Sequence, residues 1–260
     1  VVMNIAVKFE FPRAKSYEAG ISPAAITAMV NDWAAKDCEI HSFKLLRGGK
    51  TVAEAYYAPY RAEYTHVMYS LSKSFTSTAI LFAVQEGLLS PDDSVVSFFP
   101  EYAAKLDISD RIKRMTLRHL LSMCTGHKDN ADFIFGEKDC VSAFLTSELT
   151  DERGGRFSYN TGATFMLSAA LQARTGQPLD EFLRPRLFEP LGMSGGVMWD
   201  KSALGICYGG FGLHVTTDDI ARLGTLYLNR GVFGGKRILD ETLVAEATRK
   251  HISNRGGRGR

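Results

Sequence analysis

Two side chains able to do covalent chemistry stand three residues apart in the stretch from His66 to Thr76: Ser70 and Lys73. If a helix begins there, positions i and i+3 share a face, so the hydroxyl and the amine can meet without help from the rest of the fold. A serine is a poor nucleophile unless a neighbour takes its proton, and an amine can do so only in its neutral form. The half positive charge of a helix N-terminus favours an oxyanion at Ser70 and opposes a further positive charge at Lys73. A third group, the phenol of Tyr159, lies in a turn just before another helix, where it can project into a cleft between the two helix starts and exchange protons with Lys73 as one titrating unit.

Positioning these residues falls to the surrounding elements. Ser22-Pro23 reads as a helix start, with Ile26, Met29, Val30 and Trp33 recurring at helical spacing. Ile40 to Leu46 and Thr51 to Tyr57 read as strands of a hairpin turned by Arg47-Gly48-Gly49-Lys50. The helix after Ser70 is apolar enough to be central and stops at Gly87. Further helix starts are expected at Ser90-Pro91-Asp92-Asp93, at Thr116, over Asp139 to Leu149, after Tyr159 as far as Gly176, at Thr216 as far as Gly231, and near Leu243 to Thr248. Gly234-Gly235 marks a tight turn, and the hairpin is the only clear strand pair.

The 260 residues are 45% hydrophobic and carry 31 basic against 29 acidic side chains, a net charge of +2. That balance gives no electrostatic reason to expect nucleic acid or an anionic membrane as partner. No apolar run is long enough for a membrane span. Cys38, Cys124, Cys140 and Cys207 have neither metal-site spacing nor disulfide density, and are read as free, mostly buried thiols. The chain contains no GxSxG elbow, P-loop, GxGxxG or HExxH, so no metal and no cofactor is expected. His119 is read as structural, and the glycine- and arginine-rich tail from Arg255 as a solvated end. A cytoplasmic location is the default, and a periplasmic or secreted one holds if a leader preceded Val1.

Five pieces then carry a resemblance over nearly the whole length: Tyr69-Ser70-Leu71-Ser72-Lys73-Ser74-Phe75, Arg118-His119-Leu120-Leu121-Ser122, Phe157-Ser158-Tyr159-Asn160, Pro190-Leu191-Gly192-Met193, and Gly209-Gly210-Phe211-Gly212 followed by Thr216-Thr217-Asp218-Asp219. In these pieces and their order the chain resembles the serine β-lactamase-related hydrolases, the group of class C β-lactamases, D,D-peptidases and esterases. The resemblance implies that Ser70 forms an acyl-enzyme, that Lys73 helps deprotonate it, and that Tyr159 passes the proton to the leaving group and later activates water. It also implies a mixed α/β (α+β) fold, an antiparallel sheet flanked by helices with a mostly helical part inserted. On that basis residues 1–72 and 205–260 form the sheet-containing part and 73–204 the helical part.

The chain departs from the family's pattern in three places. The second motif is Tyr-x-Asn, but the third residue from Tyr159 is Thr161 and Asn160 comes one place early; either is expected to orient the substrate carbonyl and Lys73. Gly154-Gly155 replaces the usual Pro-Gly turn. The third motif, a Lys/His-x-Gly triplet that gives one backbone donor of the oxyanion hole, has no credible copy, and the strands that carry it would begin about where this sequence ends. Trp199, Gly210 and Phe211 are further candidates to bind substrate, with core or rim packing as the alternative for Trp199 and Phe211.

The function expected is cleavage of a small ester or amide through Ser70, with β-lactams, D-amino-acid peptides and amide oligomers within the class. The alternative is a catalytically impaired member acting as a ligand-binding or assembly protein. In either case an oligomer, or a segment complementing the sheet at the C-terminus, is the expected protein partner.

Overall fold

The computed structural model describes residues 9–128, 130–151 and 154–254. The glycine- and arginine-rich tail from Arg255 lies outside the described residues. In chain order the helices are α1 (Pro23–Ala35), α2 (Ser72–Gln85), α3 (Pro100–Ala103), α4 (Asp110–Lys113), α5 (Leu117–Leu121), α6 (Cys140–Leu145), α7 (Thr161–Thr175), α8 (Leu179–Leu183), α9 (Thr217–Leu228) and α10 (Glu241–Thr248). The strands are β1 (Ser42–Arg47), β2 (Lys50–Tyr56), β3 (His66–Val67), β4 (Met198–Trp199), β5 (Leu213–Val215), β6 (Val232–Phe233) and β7 (Lys236–Arg237). The fold is mixed α/β, with small antiparallel sheets among the helices.

The expected hairpin forms as β1 and β2, with Ser42 opposite Tyr56 and Arg47 opposite Lys50. Its two turn residues, Gly48 and Gly49, have φ of 56° and 74°, the left-handed pair that a tight hairpin turn requires. Side chains alternate across a strand, so β1 presents its two faces to different helices. Phe43 meets Trp33 of α1 edge-on at 5.2 Å. On the other face Ser42 Oγ lies 2.7 Å from Thr217 Oγ1, and Lys44 donates to Asp218 at 2.6 Å, both on α9.

A second sheet, of order β3-β5-β4, was not foreseen. Its strands are two or three residues long, too short to show the alternation by which a strand is read. β4, from within the stretch 73–204, is paired with β5, and β5 carries β3 on its other edge. Gly234 and Gly235 close the third pair, β6 with β7.

The helices follow their caps. Thr116 and Thr216 each form a capping box, with His119 and Asp219 returning a side-chain acceptor to the cap. His119 is thereby placed as a structural residue: its Nδ1 accepts the Thr116 N–H at 3.0 Å. Two expectations are corrected. Ser90 caps no helix; Ser90 N–H donates to Asp93 Oδ2 at 2.8 Å within an isolated turn, and a short 3₁₀ segment, Val95–Phe98, follows. The helix after Asp139 ends at Leu145, short of Leu149.

α7 is the centre of the helical packing, with α2, α5, α6 and α8 against it. Its residues from Thr161 through Leu171 are all buried, and several are small, which lets neighbours approach from every side. α2 is almost as enclosed, burying Phe75, Ala79, Ile80 and Phe82. The starts of these two helices bring Ser70 and Tyr159 toward one another.

Candidate active site

β3 leads directly into the Ser70 turn. Val67 pairs with His214 of β5, and the next residue, Met68, donates its N–H to Leu213 O at 2.8 Å. Tyr69 then takes φ 42°, the left-handed region that is costly for an aromatic residue. This reversal ends the strand and lifts Ser70 out: Ser70 is exposed, and its backbone N–H meets no acceptor among the described residues. α2 begins two residues later, at Ser72.

Lys73 Nζ lies 3.3 Å from Ser70 Oγ and donates to Gly210 O at 2.8 Å. A third contact comes from Tyr159, whose ring centroid is 4.9 Å from the same nitrogen. The expected trio is therefore assembled, but the ring face of Tyr159, rather than its hydroxyl, meets the ammonium.

The segment from Gly209 to Leu213 is stitched to α2 by three polar contacts. Besides Lys73, Thr76 Oγ1 donates to Gly209 O at 2.8 Å and Ser72 Oγ accepts the Leu213 N–H at 3.2 Å. Gly210 is also pressed against α7: a Cβ there would stand 2.5 Å from Thr161 Cγ2 and 3.4 Å from Lys73 Nζ. Only glycine lets this loop reach both helices, so Gly210 takes part through its carbonyl and its missing side chain. Ser72 and Thr76 escaped notice in the sequence. Both are wholly buried hydroxyls on the Lys73 helix, and a polar side chain every fourth residue on an apolar helix was the available signal.

Asn160 is a correction. Its side chain is fully buried and spent within the fold: Oδ1 accepts the Ala163 N–H at 2.8 Å as the cap of α7, and Nδ2 donates to Thr125 Oγ1 at 3.1 Å. The chain of donors then continues inward. Thr125 Oγ1 is 2.8 Å from His127 Nδ1, His127 Nε2 is 2.8 Å from Ser147 Oγ, and Ser147 Oγ donates to Phe144 O at 2.6 Å. With Ser147 donating onward, it must accept from Nε2–H, which leaves Nδ1 to accept from Thr125. Every member is satisfied only with His127 neutral, and burial pushes that imidazole down to about 4.

Thr161 is nearly buried; its N–H donates to Asn130 Oδ1 and its methyl packs on Gly210. Trp199 takes the packing alternative: it is 4% exposed, and its indole N–H donates to Phe211 O at 2.8 Å, so it braces the loop. Phe211 remains half-buried, its ring stacked on Tyr208 with centroids 4.5 Å apart.

On the far side of Lys73 an open groove of about 470 Å³ runs between α2, α9 and α10, lined by Leu71, Ser74, Leu223, Tyr227 and Ala247. Among the described residues no cluster of three or more metal-ligating side chains occurs, and no helix is long and apolar enough to cross a membrane.

The chain is 24% identical over 233 residues to the 6-aminohexanoate-dimer hydrolase of Paenarthrobacter ureafaciens, covering 83% of this chain and 59% of that protein. It is 25% identical over 204 residues to the lovastatin esterase of Penicillium rubens, covering 69% of this chain and 50% of that one. The chain thus spans between a half and three fifths of these relatives. Among solved structures, EstCE1, a hydrolase with promiscuous acyltransferase activity, superimposes with a TM-score of 0.70 at 19% identity, over 88% of this chain and 77% of its own, which shows a shared fold. The model of the family described as Beta-lactamase matches residues 41–259, and the chain belongs to that family.

Proposed function

We propose that the chain carries the nucleophile of a serine hydrolase that transfers the acyl group of a small ester or amide to water. The observation that carries this reading is the 3.3 Å approach of Lys73 Nζ to Ser70 Oγ at an exposed, strained turn. In the reaction, neutral Lys73 takes the Ser70 proton as Oγ bonds to the carbonyl carbon. The oxyanion that forms is held by the free Ser70 N–H and by the N-terminus of α2. Collapse breaks the bond to the alcohol or amine, which leaves with the proton held by Lys73. Water then attacks the acyl carbon as Lys73 takes its proton, and collapse breaks the acyl–Oγ bond, releasing the acid and returning that proton to Ser70 Oγ. Tyr159, with its ring face on the amine, is proposed to hold Lys73 in place in the free protein and to relay protons only after a rotation of its side chain.

Relatives named as a 6-aminohexanoate-dimer hydrolase and a lovastatin esterase support keeping the reading at ester or amide. Turnover of 4-nitrophenyl acetate and of a chromogenic β-lactam by the chain and by Ser70→Ala tests it. Hydrolysis that disappears in the variant supports it, and hydrolysis that persists contradicts it.

A second reading, a ligand-binding or assembly protein of impaired activity, is favoured by two features: the open groove beside Lys73, and the outer edge of β1, which pairs with no strand among the described residues. A partner segment seated there would cover that edge. A concentration-independent monomer by light scattering, with full activity, counts against it.

A further inference from the structure

The backbone from Cys207 to Leu213 is held by side chains of the surrounding framework at one atom after another. Ser168 Oγ of α7 donates to Cys207 O at 2.7 Å, and Thr76 Oγ1 of α2 donates to Gly209 O at 2.8 Å. Lys73 Nζ then donates to Gly210 O and Trp199 Nε1 to Phe211 O, each at 2.8 Å. Ser72 Oγ closes the row by accepting the Leu213 N–H at 3.2 Å. Of these donors, Lys73 is the one that acyl transfer asks to exchange a proton.

A neutral amine has two N–H groups and one lone pair, so committing an N–H to Gly210 O limits where the lone pair can point. Nζ stands 2.8 Å from Gly210 O and 3.3 Å from Ser70 Oγ, which makes the carbonyl the closer hold. Gly210 cannot keep its own carbonyl still, because a residue without Cβ turns freely about φ and ψ. The carbonyl is placed by its neighbours instead. The peptide unit joining Gly209 to Gly210 is planar; Thr76 holds its oxygen, and its N–H donates to Tyr208 O at 2.6 Å. Gly209 is at φ 68° and pressed on α7, where a Cβ would stand 2.9 Å from Thr164 O. Thr76 lies three residues after Lys73, on the same face of α2, and is wholly buried. A second acceptor for its hydroxyl, Ser72 O, is 3.4 Å away, so the proton belongs with Gly209 O.

We propose that Thr76 is a positioning residue for acyl transfer: by holding the Gly209 carbonyl it fixes the Gly210 carbonyl, and that carbonyl aims the Lys73 amine at Ser70 Oγ. The inference rests on the serine-hydrolase reading for the reaction it serves, and on the contacts between α2 and the loop for its geometry. Thr76 acts through two carbonyls and not on the reacting atoms, so its loss belongs in kcat and leaves KM in place.

The test compares three variants with the parent chain on 4-nitrophenyl acetate, at a temperature where circular dichroism shows all four folded. Thr76→Val keeps the shape and removes the donor, and Thr76→Ser keeps the donor. Ser168→Ala removes a buried hydroxyl of the same kind from Cys207 O, and so separates lost stability from lost aim. Thr76→Val is expected to lower kcat about 20-fold with KM within about twofold, the scale of a misaimed catalytic group. Thr76→Ser and Ser168→Ala are expected to stay within about threefold of the parent. The inference is overturned if Thr76→Val also stays within that limit, if Ser168→Ala matches its loss, or if Thr76→Ser is as slow. Should Thr76→Val fail to fold, Thr76→Ala is read against the same limits. If the parent turns over no ester, the hydrolase reading fails by itself. The positioning is then read from the amine, by acetylation with acetic anhydride mapped on peptides. Lys73 should react at least about threefold faster in Thr76→Val than in the parent and in Thr76→Ser, with the other lysines unchanged. Equal rates at Lys73 overturn the inference.

Discussion

The two helix starts that meet at Lys73 are built in opposite ways. At the start of α7 the Asn160 amide is consumed: it caps the helix, reaches Thr125, and through it joins a buried relay ending at Phe144 O. At the start of α2 no side chain caps the helix, Tyr69 is held at φ 42°, and Ser70 is exposed with its N–H unengaged. One end is a fixed frame and the other is a site with open hydrogen-bonding capacity. A satisfied network gives rigidity and leaves nothing for a ligand, whereas unspent donors beside a nucleophile are what a developing oxyanion needs.

This contrast can be broken from either side. The largest effect is expected at the reactive end, where Lys73→Met should slow acylation of Ser70 by about 10³-fold, the usual range for losing a general base, with little change in melting temperature. A stopped-flow burst with 4-nitrophenyl acetate reads it, and a rate within threefold of the parent removes Lys73 from the mechanism.

At the framed end the effects should be on stability. His127 has a folded-state pKa of about 4, below its ordinary value near 6.5. Between those values the unfolded chain binds the proton and the folded chain does not, so stability is full above about pH 6.5 and falls as the pH drops toward 4. The loss amounts to roughly 3 kcal/mol. Urea midpoints from pH 7 to pH 4 measure it, and His127→Gln should flatten that slope. Asn160→Ala removes the cap and leaves Thr125 without its donor, at a cost of about 2 kcal/mol. Chemical denaturation checks it; a loss confined to KM would mean that the amide faces substrate after all. The smallest change is expected from Tyr69→Gly, which relieves the left-handed backbone and should stabilise the fold by roughly 0.5–1 kcal/mol while loosening the Ser70 turn and lowering its acylation rate.

How much of this was legible in the sequence depended on whether a signal was local. The approach of Ser70 and Lys73 could be read because a three-residue spacing brings two side chains together where a helix starts. The caps at Thr116 and Thr216 could be read because a capping box is complete within four residues. Asn160 could not be assigned, since the same amide serves as a helix cap or as a substrate ligand, and only the distant Thr125 decides between them. Trp199 stayed open between cleft and packing for a similar reason: its indole N–H finds Phe211 O, a carbonyl twelve positions away. The β3-β5-β4 sheet was hidden by strands too short to alternate, and Ser90-Pro91 gave cap-type bonds without the apolar periodicity to extend a helix.

The central claim is that Ser70 is the nucleophile and that the open α2 start, not the α7 start, is the reactive end. Intact-protein mass spectrometry after brief exposure to a fluorophosphonate tests this most directly. One adduct per chain, mapped to Ser70, absent in Ser70→Ala and strongly slowed in Lys73→Met, is the predicted result. Labelling that is equal in Ser70→Ala, or that maps to Ser158 beside Tyr159, would contradict it.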